Sequence, residues 1–215
     1  MENFSAQLKI IKRTILMQSA TYVWLSKLPI FRDDFMKICL YGSGSRKIDP
    51  KYTNCAYELG REIAKHGHSL VFGGGDTGMM GACAKGVHDN NGTSIGIAPG
   101  WIGNFEPLCK QCDEFIYVDS MDERKNKFVE NSDAFIITPG VIGTLDEFFE
   151  IITLKKLKQH NKEIIVFNID GFYNKMLEMI DEMVEKGFLY KQEELFKIAN
   201  DLNEIEEFLK TNELD

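Results

Sequence analysis

The chain has no excess of basic residues: 25 Lys and Arg face 33 Asp and Glu, for a net charge of -8. A nucleic-acid or anionic-membrane surface as main partner is therefore not expected, because either needs a basic patch to offset phosphate repulsion. Any anionic ligand has to be held locally. A membrane-length apolar run is also missing, since Lys9, Lys12, Arg13 and Lys27 interrupt the fairly apolar stretch from Leu8 to Ile30. That stretch lacks the form of a signal peptide. Its apolar positions Leu8, Ile11, Ile15 and Leu16 recur at helical spacing, so an N-terminal helical extension over residues 1–35 is expected.

The five cysteines, Cys39, Cys55, Cys83, Cys109 and Cys112, are an odd number at scattered spacing. They do not make a disulfide framework and fit reduced thiols in the cytoplasm. Cys109 and Cys112 form one C-x-x-C, but no second pair completes a closed zinc site. The pair reads as structural, with redox chemistry as the alternative. His66, His68, His88 and His160 have neither metal nor triad spacing, and no metal is expected.

What is present is alternation. From Met36 onward, short β-branched runs alternate with amphipathic segments, the pattern of a parallel sheet covered by helices. The fold class is α/β, with a Rossmann-like parallel sheet flanked by helices on both faces, as one domain over residues 36–215. Strands are expected at Lys37 to Tyr41, Ser69 to Phe72, Thr93 to Ala98, Phe115 to Val118, Ala134 to Thr138 and Glu163 to Asn168, with a weaker one at Phe196 to Ala199. Helices are expected at Tyr52 to His66, Gly78 to His88, Met121 to Glu130, Leu145 to Gln159 and Tyr173 to Lys186, with a short one near Glu204 to Leu209. No repeat, linker or low-complexity block appears.

Ligands of such sheets bind beyond the carboxyl ends of the strands. Three loops there are glycine-rich: Gly42-Ser43-Gly44-Ser45, Gly73-Gly74-Gly75-Asp76-Thr77-Gly78 and Pro139-Gly140-Val141-Ile142-Gly143-Thr144. Glycine lets backbone N–H groups approach a phosphate at a helix N-terminus. Tight turns explain any one of these loops, but poorly all three. Gly73-x-Gly75-x-x-Gly78 matches a dinucleotide fingerprint, yet the acidic residue wanted about twenty positions on is missing. No Walker A lysine follows a glycine either.

Thr144 followed by Glu147 spells a capping box before the apolar face Leu145, Phe148, Phe149 and Ile152. Capping is one reading of Glu147; a carboxylate facing developing positive charge is the other. Arg124 and Lys125 stand early in a helix, where a cation opposes the dipole. A nearby anionic ligand would explain them, and a solvated face balanced by Asp122 and Glu123 is the plainer account, preferred for Lys125.

Taken together, Gly73 to Gly81, Glu123-Arg124-Lys125 and the stretch Pro139 to Glu147 resemble the LONELY GUY (LOG) family of cytokinin riboside 5′-monophosphate phosphoribohydrolases, once labelled lysine decarboxylases. The resemblance spans about Met36 to Phe208. It implies hydrolysis of the N-glycosidic bond of a purine nucleoside 5′-monophosphate to free base and ribose 5-phosphate, without a cofactor. It implies Arg124 and Glu147 as catalytic residues. Substrate contacts are expected from Gly42, Ser43, Gly74, Gly75, Gly78, Met79, Lys125, Pro139, Gly140, Gly143 and Thr144, and a homodimer with its sites at the interface. Trp101, Met79 and Phe105 are candidates for lining a base pocket. One position departs from the family motif P-G-G-x-G-T-x-x-E: Val141 stands where the third residue is glycine, and a β-branched residue there opposes positive φ and adds bulk beside a phosphate. A non-catalytic nucleotide-binding or carrier protein of the same fold is the alternative; a dinucleotide-dependent oxidoreductase is a weaker one.

Overall fold

The computed structural model describes residues 35–189 and 195–211. Residues 1–34, where the expected N-terminal helix falls, lie outside the described part. Seven strands, β1 (Lys37–Tyr41), β2 (Ser69–Phe72), β3 (Ser94–Pro99), β4 (Glu114–Val118), β5 (Ala134–Ile137), β6 (Glu163–Phe167) and β7 (Lys197–Ala199), pair in the order β4-β3-β2-β1-β5-β6-β7. Every pairing is parallel. Central strands of such a sheet are covered on both faces and read as continuous apolar runs. Accordingly, all four residues of β5 are buried, as are Ile38 to Tyr41 of β1.

Among the described residues six α-helices follow the strands: α1 (Pro50–Lys65), α2 (Gly78–Asp89), α3 (Met121–Glu130), α4 (Ile142–Lys156), α5 (Asn174–Glu185) and α6 (Leu202–Thr211). Their apolar stripes divide between two cores. On one face Leu59 and Ile63 of α1, Met79 and Val87 of α2 and Leu209 of α6 pack together. On the other, Phe128 of α3, Phe148 and Ile152 of α4 and Ile180 of α5 do the same. Burial of this kind contributes roughly 25 cal/mol per Å² of apolar surface removed from water. Among the described residues no helix is long and apolar enough to cross a membrane.

Local sequence explains several boundaries. Asp49 caps α1 by accepting from the Lys51 N–H at 2.9 Å, with Pro50 at the first helical position. Ser120 caps α3 in the same way, accepting from the Glu123 N–H at 3.1 Å. The start of α4 differs from expectation. The helix begins at Ile142, three residues before Leu145, and Val141 stands at its N-cap without a side-chain acceptor. Thr144 lies inside the helix, so the capping box with Glu147 does not form. The motif fits the third helical position as well as the cap, and the extended backbone of Val141 decides between them. Because Val141 takes φ -114° and ψ -152°, ordinary extended geometry for any L-residue, its side chain causes no backbone strain.

The chain order turns between β1 and β5, neighbours in space whose following helices lie on opposite faces. A crevice opens there by construction. Its two sides are tied together, since the Thr138 N–H donates to the Tyr41 carbonyl at 2.8 Å and the Ser43 N–H to the Pro139 carbonyl at 3.2 Å.

Candidate active site

A cleft of about 170 Å³ fills this crevice, lined by Leu40, Tyr41, Gly42, Ser43, Gly44, Gly73, Met80, Glu106, Arg124, Val141, Gly143, Thr144 and Glu147. Gly42, Ser43, Arg124, Gly143, Thr144 and Glu147 are thus brought together. The other expected contacts are not at its wall. Gly74 and Gly78 serve the turn instead, at φ +74° and +66°, with a side chain at Gly78 colliding with the Ser43 carbonyl. Met79 is fully buried in the core, so it cannot line a base pocket. Gly140 lies under the Thr144 side chain. Gly75 and Pro139 are not among the lining residues, although Gly75 lies beside Met80 and Glu106, which are. Lys125 pairs with Glu150 at 2.6 Å and Asp146 at 3.4 Å, both on α4, rather than with Asp122 and Glu123.

Arg124 is held by the backbone of β3 and of the loop after β2. Its Nε donates to the Ile97 carbonyl at 3.1 Å and its Nη2 to the Gly73 carbonyl at 3.4 Å, and the guanidinium rests 5.2 Å from the Phe128 ring. The guanidinium occupies the space where residue 73 would carry a Cβ, which would fall 2.1 Å from Nη2. Glycine at 73 is therefore a steric requirement of the arginine.

Glu147 points into the cleft from the second turn of α4. Its Oε1 lies 3.9 Å from Arg124 Nη1, and its side chain is 13% exposed. That distance exceeds a hydrogen bond, so the two charges face each other without locking. Burial pushes the Glu147 carboxyl up to about 7, against the opposing pull of Arg124. Asp146 and Glu106 add to the rise, and Lys125 reduces it. A carboxyl poised there is a candidate for acid–base work near neutral pH.

Above it, the first turn of α4 presents backbone donors. The Leu145 N–H makes the first intrahelical bond, to the Val141 carbonyl at 3.0 Å, so the N–H groups of Ile142, Gly143 and Thr144 precede the helical ladder. With the helix dipole, they favour an anion at this end. Glu106, which no glycine signals in the sequence, enters from the loop after β3 and faces Gly44 and Gly75. Trp101 and Phe105 pack edge to face, 47% and 81% exposed, away from the wall. Among the described residues no group of three or more His, Cys, Asp or Glu could hold a metal. Among the described residues no lysine lines the cleft.

A family model described as "possible lysine decarboxylase" matches residues 80–209. The chain is 37% identical over 158 residues to the cytokinin riboside 5′-monophosphate phosphoribohydrolase LOG3 of Arabidopsis thaliana, covering 74% of each chain. It is 38% identical to the phosphoribohydrolase LOG of Oryza sativa subsp. japonica, covering 74% of this chain and 65% of that one. Among solved structures it resembles the molybdenum cofactor binding protein of Rippkaea orientalis, with a TM-score of 0.64 at 24% identity over 84% of this chain and 98% of that one. The Moco carrier protein of Chlamydomonas reinhardtii is similar, with a TM-score of 0.62 at 22% identity over 83% and 97%. At these identities the two structures speak for the fold alone. The sequence relatives and the matched model go further, and by them the chain belongs to the LOG family of cytokinin riboside 5′-monophosphate phosphoribohydrolases.

Proposed function

We propose that the protein hydrolyses the N-glycosidic bond of a purine nucleoside 5′-monophosphate, AMP or its N6-prenylated counterpart, to free base and ribose 5-phosphate. The observation that carries this reading is Glu147: a cleft carboxyl near pKa 7, 3.9 Å from a buried arginine and next to an uncapped helix N-terminus. As the C1′–N bond stretches, positive charge builds on the ribose and negative charge on the leaving base. An ionised Glu147 stabilises the first and orients or deprotonates the water that adds to C1′. Arg124 holds the phosphoribosyl group against it. The 5′-phosphate is received by Gly143 and Thr144 of α4 and by the Gly42–Ser43–Gly44 loop. Glu106 is placed to accept hydrogen bonds from ribose hydroxyls.

Whole ligand pockets run to about 300–1,000 Å³, so a cleft of about 170 Å³ suits the phosphoribosyl part and leaves the base at the rim. Val141 and Ile142 form an apolar part of that rim, 65% and 85% exposed. A second subunit closing over the base would exclude water and strengthen the electrostatics on the ribose. A homodimer is therefore part of this reading, checked by sedimentation at micromolar protein, and a fully active monomer would remove that part. Decarboxylation of lysine finds no support among the described residues, because Lys125 is engaged by two carboxylates and no described lysine lines the cleft.

The test is to incubate the purified protein with AMP and with N6-isopentenyl-AMP and to assay free base together with ribose 5-phosphate. Binding without release of base would favour a carrier, as the Moco carrier protein of Chlamydomonas reinhardtii is named.

Two substitutions probe the phosphate end. A Cβ at Gly143 meets no protein atom within 4 Å, so Gly143→Ala is expected to keep the wild-type melting temperature while raising KM for AMP about tenfold by occupying ligand space. An unchanged KM would move the phosphate elsewhere. Val141→Gly is expected to lower KM by clearing the rim, at about 0.5–1 kcal/mol of stability through a more flexible unfolded chain. A raised KM would mean that Val141 contacts the ligand.

A further inference from the structure

Tyr173 is a buried tyrosine that the reaction outlined above does not use. It stands at the N-cap of α5, a place where helices favour Ser, Thr, Asp or Asn, and its side chain makes no capping hydrogen bond there. The hydroxyl is engaged elsewhere. It donates to the Thr138 carbonyl at 2.9 Å, just past the end of β5. Thr138 is buried as well, so water is no ready substitute for this donor. Burial also pushes the Tyr173 hydroxyl up, which keeps it protonated across the range where the site works.

The turn after β6 is built to place this hydroxyl. Past Phe167 the chain runs through Asp170 at φ +54° and Gly171 at φ +67° before α5 begins. The left-handed backbone of Asp170 is uncommon outside glycine and persists where surrounding contacts hold it. Such contacts are present. Asn168 Oδ1 accepts from the Tyr173 N–H at 2.8 Å, its Nδ2 donates to Asn174 Oδ1 at 2.8 Å, and its own N–H donates to the Ala199 carbonyl at 2.7 Å. Asp170 pairs with Lys51 in the first turn of α1, and Phe172 meets Tyr52 edge to face with ring centres 6.0 Å apart. The turn is thus tied to β7, to α5 and to the helix that follows the Gly42–Ser43–Gly44 loop.

The Thr138–Pro139 peptide has a particular need of such a grip. Proline brings no N–H, so the carbonyl is the one hydrogen-bonding group of that peptide plane. Whatever binds the carbonyl fixes the plane. Before it, Thr138 is anchored to β1, its N–H and its Oγ1 donating to the Tyr41 carbonyl at 2.8 and 3.0 Å. After it come the Pro139 carbonyl, accepting from the Ser43 N–H at 3.2 Å, then Gly140 under the Thr144 side chain, then Val141 at the N-cap of α4. A rotation of the plane therefore swings the chain that leads into Ile142, Gly143 and Thr144.

We propose that Tyr173 is a positioning residue of the nucleotide site: its hydroxyl sets the Thr138–Pro139 plane and, through it, the backbone donors at the start of α4 that receive the 5′-phosphate. Tyr173 does not line the cleft, so its influence passes through the backbone. This role rests on the phosphate lying at that helix start, as in the reading above. A residue that only supported the fold would change the melting temperature and leave ligand affinity alone.

The experiment compares the full chain as wild type, Tyr173→Phe and Ile180→Val. The first substitution removes one oxygen and keeps the ring. The second trims a methylene from a buried residue of α5 and removes no hydrogen bond, so it reports what destabilisation alone does. Calorimetry is expected to show AMP and ribose 5-phosphate both bound about fivefold or more weakly by Tyr173→Phe, by similar factors, since they share the phosphate end. KM for AMP should rise in step, with a smaller loss in kcat, because Arg124 hangs from β3 and the loop after β2. Ile180→Val should lower the melting temperature and keep both affinities at wild-type values. A Tyr173→Phe protein that loses melting temperature alone overturns the proposal, and so does a loss confined to AMP, which would put the effect at the base. Equal weakening in Ile180→Val overturns it too, by tracing affinity to general stability. A wild type that binds both ligands but cleaves nothing defeats the hydrolase reading, while the affinities still decide the role of Tyr173. A wild type that binds neither removes the phosphate site and this role with it.

Discussion

Glu147→Gln is expected to lower kcat by about 10³ or more while leaving the protein as stable as the wild type, or more so, at pH 8. The two effects share one cause. In the folded protein the carboxyl is pushed from 4.5 up to about 7 by burial, so the fold binds a proton that the unfolded chain has already released. Stability from this group is therefore present below about 4.5 and is lost as pH rises through about 7. At pH 8 the buried charge costs on the order of 3 kcal/mol at most, which glutamine removes at nearly constant shape. Activity has the opposite slope, because the ionised form is the one that meets the ribose cation. Wild-type kcat/KM should accordingly fall on the acid side of about 7. Melting curves and rates measured between pH 5 and pH 9 check both slopes. Near-normal turnover of the variant would leave Glu147 without a chemical role.

The strands and the helix that carry this site were readable for a simple reason. Buried parallel strands read as continuous apolar runs, so Lys37–Tyr41 and Ser69–Phe72 stand where the pattern places them, and Met121–Glu130 is bracketed by Ser120 and Asn131. The gathering of Gly42, Arg124 and Glu147 followed from loops that share one sheet edge. What stayed hidden depends on backbone angles or distant pairing. Thr144 and Glu147 fit a capping box on spacing, but only the extended Val141 backbone shows that the helix begins at Ile142. The same angle explains why Val141 is unstrained where a glycine was expected. Lys125 finds its partners on α4, across the sequence from its neighbours, and no local pattern announces that. Glu106 bears no motif at all; inspecting the loop after every strand, glycine-rich or not, would have reached it.

Arg124→Ala is expected to lower kcat by about 10²–10³ and to move the acid limb of the pH–rate profile to higher pH. The second effect singles out the arginine's role. Arg124 is the largest influence holding the Glu147 carboxyl down, so removing it lets burial push that carboxyl further up, and less of it is ionised at neutral pH. A structural loss accompanies this. The carbonyls of Ile97 and Gly73 lose their donor, at about 1–3 kcal/mol for buried groups left unpaired, so the melting temperature should fall too. Arg124→Lys separates the contributions: it keeps the charge that steadies Glu147 but cannot span two carbonyls with one planar fork. The lysine variant should therefore retain an acid limb near that of wild type while still losing turnover. Parallel profiles for both variants, with melting temperatures at each pH, decide the matter. A kcat unchanged in Arg124→Ala would confine the arginine to ground-state binding, and a limb that does not move would mean that burial alone sets the Glu147 proton.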